Sequence, residues 1–196
     1  MLGDLPKSLS VNGVSYDIRT DFRDVLRVIS AFNAPDLSAQ EKVYVCLKQI
    51  IRDIKAVPQN DLSDAYKAVL EFIECSKVKD DETNKPTLVD WEKDEQLIFS
   101  AINKTAGFEV RAVPYLHWWT FLGYFQNVDP EDVWGQILAI RQKKARHKKL
   151  EKWEQEFYNA NRDMCTVGKI QNTKSVRESS FKALEDFYNA LQEDDA

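Results

Sequence analysis

Hydrophobic positions along most of the chain recur every three or four residues, the spacing of an amphipathic helix. The first such run opens at Thr20, and a capping box of Ser38 and Glu41 opens the second. A third run follows, and a fourth covers about residues 90–106 with Gly107 as its stop. The positions predicted to face the core of these four helices are Phe22, Val25, Leu26, Ile29, Phe32, Val43, Leu47, Ile50, Ile54, Leu62, Ala65, Val69, Phe72, Ile73, Trp91, Ile98 and Ile102.

Two short stretches near the N-terminus alternate polar and apolar residues instead. They flank Asn12-Gly13, a pair favoured in type I′ turns because both positions need a positive φ. The pattern predicts a β-hairpin over residues 8–18. Since an isolated hairpin is only marginally stable in water, we expect it to pack on the helices or to pair with another chain.

The most apolar stretch is residues 114–125, where aromatic or aliphatic side chains stand at nearly every position. A helix with this pattern is buried on all sides, and Pro114 is expected in its first turn, where a missing N–H costs nothing. The stretch is too short to cross a bilayer, which takes about 20 apolar residues. We interpret it as the central core helix, with Tyr115, Trp118 and Trp119 organising the core or a partner-binding groove.

The second half of the chain continues the helical pattern. Pro130 is expected at the first position of a sixth helix, and residues 150–167 and 181–191 each carry a short heptad spacing of apolar residues. The pattern predicts an all-α fold of seven to eight helices with a small N-terminal β-hairpin. Its predicted parts are a hairpin over 1–19, a helical domain over 20–168 with a mobile polar loop at 77–87, and a detachable amphipathic helix over 176–196.

Composition adds few constraints to this picture. The 196 residues are 43% hydrophobic and 30% charged, which is ordinary for a soluble globular protein. The three cysteines have scattered spacings, which favours free thiols, and the N-terminus lacks the pattern of a secretory signal. We therefore expect a cytoplasmic protein without membrane attachment.

A dense positive block at residues 141–152 stands out against the net charge of −5. A solvated helix face is one interpretation, and an acidic partner protein or an acidic patch on another copy is a second. Nucleic acid is less favoured, because the block lacks interleaved aromatic residues and the sequence pI is near 5.2. The candidates for electrostatic docking of a partner are Arg141, Lys143, Lys144, Arg146, Lys148 and Lys149.

No motif for catalysis, phosphate binding or metal binding is found in the sequence. His117 and His147 lack a carboxylate or a cysteine at metal-ligand spacing, and we expect His117 to be a core histidine bonded to the backbone. The expectation is a protein that is not an enzyme and has no cofactor and no metal.

Three segments of the sequence form a recognisable pattern. They are Asp90-Trp91 with Asp94 and Ile98, then Leu116-His117-Trp118-Trp119 with Phe121, and then Arg141 with the basic block and Leu150, Lys152, Glu154, Tyr158 and Asn161. Together they resemble the bacteriophage gene-product-fifteen family of tailed phages and prophages of Gram-positive bacteria. The start of the first helix at 20–23 fits as well, whereas 102–110 departs from the family pattern.

The resemblance implies a protein of the phage tail module, usually encoded between the major tail protein and the tape measure protein. Proteins from that position are similar to tail assembly chaperones, which coat the tape measure protein in the host cytoplasm until tail-tube subunits replace them. The expected partners are the tape measure protein, other tail proteins and further copies of this chain. The alternatives are a structural component of the virion tail or its connector and, less favoured, a nucleic-acid-binding module acting through residues 141–152.

Overall fold

A computed structural model describes residues 3–75 and 88–167 of the chain. Over these residues the protein is mainly helical with one small antiparallel hairpin, which confirms the predicted fold class. The predicted loop at 77–87 and the predicted helix at 176–196 lie outside the described residues. The elements are β1 Ser8–Val11, β2 Val14–Asp17, α1 Phe22–Asn33, α2 Ala39–Ile50, α3 Leu62–Glu74, α4 Glu95–Ala106, α5 Trp118–Gln126, α6 Val133–Ala145 and α7 Lys152–Ala160.

The described residues divide into two compact units. The first contains residues 3–75 and 115–119, and the second contains residues 88–114 and 120–167. Each unit has its own buried apolar residues, and each is described separately below.

The hairpin of the first unit packs on helices of its own chain. Its turn has φ of 49° at Asn12 and 85° at Gly13, as the type I′ prediction requires. The Asn12 side-chain amide donates to the Asp61 carboxylate at 2.7 Å, just before α3, and Ile18 forms a β-bridge with Ile51 after α2. These contacts supply the support that a two-stranded sheet lacks on its own.

Helices α1, α2 and α3 supply the core of the first unit. The predicted capping box is present at the start of α2, where the Glu41 N–H donates to the Ser38 hydroxyl and the Ser38 N–H donates to the Glu41 carboxylate. On α1 the buried side chains include Val28 instead of the predicted Ile29, which is half-buried. The largest fully buried side chains of these helices are Phe22, Leu47, Ile50 and Tyr66.

The second unit packs aromatic side chains of α4 and α5 together. The Phe121 ring lies 5.9 Å from the ring of Phe99 and 6.3 Å from that of Trp91, and the Trp91 and Phe125 rings are 5.0 Å apart. Gly107 ends α4 in the left-handed region at φ 79°, as predicted. From α6, the buried residues Trp134, Ile137 and Ile140 complete this core.

The prediction for residues 114–125 was partly wrong. The helix α5 begins only at Trp118, because His117 forms an antiparallel β-bridge with Asp21 and the backbone on either side of it bonds to residues 20 and 22. Pro114 therefore lies outside the helix. Nor is α5 buried on all sides: Trp118 and Phe121 are buried, whereas the side chains from Leu122 to Phe125 are half-buried.

Three predicted helix boundaries also differ. The fourth helix starts at Glu95, because residues 91–94 form a turn. Pro130 was predicted at the first position of the sixth helix, but the N-cap of α6 is Asp132, so Pro130 precedes the helix. The helix α7 ends at Ala160, so the heptad expected through residue 167 is interrupted.

Candidate functional site

The Leu-His-Trp-Trp segment holds three parts of the first unit together through its backbone and side chains. Phe22 N–H donates to the Leu116 carbonyl at 3.0 Å, and Trp118 N–H donates to the Thr20 carbonyl at 2.7 Å. The Asp21 carboxylate, which also caps α1, accepts from Leu116 N–H at 3.1 Å. The segment is thus bound along its length to the start of α1, and we call it the clasp (residues 116–119).

The two indoles of the clasp form hydrogen bonds with the C-terminal end of α3. Trp118 Nε1–H donates to the Ile73 carbonyl at 2.8 Å, and Trp119 Nε1–H donates to the Phe72 carbonyl at 2.9 Å. Carbonyls in the last turn of a helix have no partner within the helix, so such donors stabilise its end. Trp118 is 2% exposed and Trp119 is half-buried, which gives both residues an internal role.

His117 is buried, and its hydrogen bonds define its tautomer. Its Nδ1 accepts from Trp119 N–H at 3.1 Å, so Nε2 carries the hydrogen and donates to the Pro6 carbonyl at 2.9 Å. This backbone-bonded core histidine matches the sequence expectation. Tyr115, by contrast, is 52% exposed, and its hydroxyl lies 2.7 Å from the Thr20 hydroxyl.

Arg141, the first cation of the basic block, is buried within the second unit. Its guanidinium forms two hydrogen bonds with the Asp94 carboxylate, at 2.6 and 2.8 Å, and the side chains of both residues are at most 2% exposed. It also donates to the backbone carbonyls of Leu88 at 2.8 Å and Met164 at 2.5 Å. Arg141 therefore connects three segments of the unit and offers no exposed charge for docking a partner.

Lys143 is also used internally. Its ammonium group lies 2.6 Å from the carboxylate of Glu154, which is 2% exposed. This hydrogen bond keeps the pKa of Glu154 below its usual value. The bond ties α6 to α7, so we assign Lys143 a structural role as well.

The remaining cations lie where α6 ends and the chain reverses. His147 is left-handed at φ 53°; its N–H donates to the Lys144 carbonyl at 3.0 Å, and Lys148 N–H donates to the Lys143 carbonyl at 2.8 Å. These two bonds form a Schellman motif, in which the left-handed position is usually glycine. The reversal keeps Arg146, Lys148 and Lys149 exposed on the surface.

An open groove of about 830 Å³ lies between the end of α6 and the start of α7. We call it the cationic groove. Its lining residues are Lys144, His147, Lys148, Lys149, Leu150, Lys152, Gln155 and Glu156. Three of the six predicted docking cations, Lys144, Lys148 and Lys149, line this groove, and Arg146 is exposed nearby in sequence but does not line it.

Sequence reasoning missed the contribution of Lys152 to the groove. Lys152 belongs to the basic block at residues 141–152, but it is not among the six predicted docking cations. At the start of α7 the Glu151 N–H donates to the Glu154 carboxylate at 2.8 Å, as in a capping box. Because such a box ordinarily begins with Ser or Thr, the Glu-x-x-Glu spacing is a weak sequence signal for the chain reversal.

None of the helices in residues 3–75 and 88–167 is long and apolar enough to cross a membrane. Within the same ranges, no group of three or more His, Cys, Asp or Glu side chains is placed to hold a metal ion.

Comparisons with known proteins agree with the resemblance inferred from the sequence. Neither a curated protein nor a solved structure matches the chain. A family model described as Bacteriophage Gp15 protein matches residues 1–166, which is most of the chain. It covers both described units, including the clasp and the cationic groove. The chain is therefore a phage protein and belongs to the bacteriophage Gp15 family.

Proposed function

We propose that this protein is a tail assembly chaperone that shields the tape measure protein during tail morphogenesis. The observation that carries the proposal is the match to the phage family over residues 1–166. The proposed protein is not an enzyme and acts in the host cytoplasm before the tail tube is completed. Its proposed partner, the tape measure protein, is a long and partly apolar helix that has to be shielded until tail-tube subunits bind it.

Accessible aromatic side chains of the second unit support a role in binding such a helix. Phe108 is 40% exposed, and its ring lies edge-on to that of the half-buried Tyr124 at 6.2 Å. Amphipathic helices bind by laying their apolar face against surfaces of this kind. Each contact of this size is modest, but many copies along one chain together give tight binding that can still be displaced.

Co-expression with the tape measure protein of the same phage tests the proposal. We expect the tape measure protein to be soluble and captured with this chain, and to be insoluble when expressed alone. Phe108→Asp should lower the captured amount, because a charge at this position opposes burial of an apolar partner. Val14→Asp is the matched control, since Val14 is 51% exposed in the hairpin of the first unit.

Two results would contradict the proposal. One is an insoluble tape measure protein in the presence of the wild-type chain. The other is stoichiometric incorporation of this protein into purified mature virions, which would instead identify a structural component of the tail.

A further inference from the structure

The cationic groove concentrates positive charge that the second unit does not neutralise. Four ammonium groups, from Lys144, Lys148, Lys149 and Lys152, face one lining carboxylate, from Glu156. In the described parts of the chain, no ion pair is found for Lys148, Lys149 or Lys152, whereas Lys143 beside them is paired with Glu154. The groove is thus suited to an anionic ligand.

Two cations, Arg162 and the groove residue Lys144, lie next to Tyr158 on α7. Hydrogen bonds from Arg162 and Lys144 lower the pKa of the Tyr158 hydroxyl. The Lys144 ammonium lies 4.0 Å from the centre of the Tyr158 ring. Lys144 is thereby held on the α7 side of the turn.

The lining chemistry favours an acidic protein segment over a nucleic acid. Leu150 gives the groove a half-buried apolar residue, and Gln155 and Glu156 add groups that accept hydrogen bonds from a peptide. None of the lining residues is a Phe, Tyr or Trp, and His147 is the one lining ring on which a base could stack.

The sequence of this protein contains a segment with the complementary chemistry. Residues 183–196 lie outside the described part of the structure, and their sequence contains five acidic residues and no lysine or arginine. Apolar residues at 184, 188 and 191 continue the heptad spacing that begins at Phe181. The acidic residues are Glu185, Asp186, Glu193, Asp194 and Asp195.

We propose that the cationic groove of one copy binds the acidic segment 183–195 of a second copy. Carboxylates of the segment meet the lysines of the groove, and an apolar side chain of the segment contacts Leu150. Because each copy carries one groove and one segment, the contact is heterologous and can repeat from copy to copy. The inference does not depend on the tape measure protein and can hold or fail independently of the proposed function.

Sedimentation of the purified chain at increasing concentration tests the contact by a charge exchange. One variant carries Lys148→Glu and Lys149→Glu, and the other carries Asp194→Lys and Asp195→Lys. We expect the wild-type chain to self-associate and each variant to associate with itself at least about tenfold more weakly, because each variant reverses two of the charges that meet in the contact. Mixing the two variants should restore association, since the unchanged groove of the second variant meets the unchanged segment of the first.

A matched control separates this contact from a general effect of charge. Lys7→Glu with Lys55→Glu changes the net charge by the same amount as the groove variant, at two exposed lysines of the first unit. This variant should associate like the wild type, and added salt should weaken association of both. Equal circular dichroism spectra and thermal midpoints show that the variants are folded.

Four results would overturn the inference. The first is a wild-type chain that stays monomeric at every concentration. The second is association that the charge reversals leave unchanged, and the third is a mixture that associates no better than each variant alone. Tighter binding of a single-stranded oligonucleotide than of a synthetic peptide of residues 181–196 would also overturn it, in favour of a nucleic-acid ligand.

Discussion

Arg141 belongs to the interior, although it begins the most positive stretch of the sequence. Its guanidinium fits the Asp94 carboxylate with two bonds and satisfies the carbonyls of Leu88 and Met164. The spacing of the helix explains the assignment, because Trp134, Ile137 and Arg141 lie on one face of α6, and all three are buried. An i, i+3, i+7 pattern that ends in arginine therefore indicates a buried ion pair as readily as a solvated cation.

Replacing Arg141 by leucine should strongly destabilise the protein. Removing one partner of a buried ion pair leaves the other charge uncompensated, which costs about 3–5 kcal/mol. Two backbone carbonyls lose their donor in addition. We expect a lower urea midpoint for Arg141→Leu and partial recovery in the double variant with Asp94→Leu, because that change removes the stranded carboxylate. Lys148→Leu is the exposed control. Equal urea midpoints for Arg141→Leu and Lys148→Leu would contradict the internal role of Arg141.

At the scale of elements, the clasp explains why an aromatic run need not be a uniform core helix. Its first residues are extended because they pair with residues 20–22, and its indoles project to the end of α3. Periodicity alone does not reveal such pairing, because the partner residues are about 95 positions away. The elements with local signals were predicted well, including the Asn12-Gly13 turn, the Ser38 capping box and the Gly107 stop.

Trp118→Phe tests the link between the clasp and α3. The substitution removes the N–H that satisfies the Ile73 carbonyl, at a cost of about 1–3 kcal/mol, while keeping an aromatic ring. Hydrogen exchange should accelerate most at amides in the last turn of α3. Trp153→Phe is the control, since Trp153 is 49% exposed on α7. Unchanged exchange in that turn would show that the indole does not stabilise it.

The positions of the groove lysines could be predicted only in part from the sequence. The sequence shows that residues 141–152 are basic. Whether each cation points to the interior or to the groove, however, depends on where α6 ends. His147 ends it in a left-handed conformation that non-glycine residues seldom adopt, so no strong local signal marks the stop. Arg141 and Lys143 consequently fall on the internal side, and Lys144, Lys148, Lys149 and Lys152 line the groove.

At the scale of the whole molecule, the family match and the two surfaces support one account. The family match shows a phage protein, and the proposed chaperone role requires many copies to cover one long partner. The accessible aromatic residues near Phe108 are proposed to contact that partner, and the cationic groove is proposed to contact the next copy. The Arg141–Asp94 pair stabilises the second unit, to which both of these surfaces belong.

The number of copies bound to each tape measure chain tests this account most directly. Light scattering or native mass measurement of the captured complex gives that number. The account predicts many copies per tape measure chain, with the count rising with the length of the tape measure protein. A single copy per chain, or no complex with a tape measure protein that is soluble by other means, would contradict it.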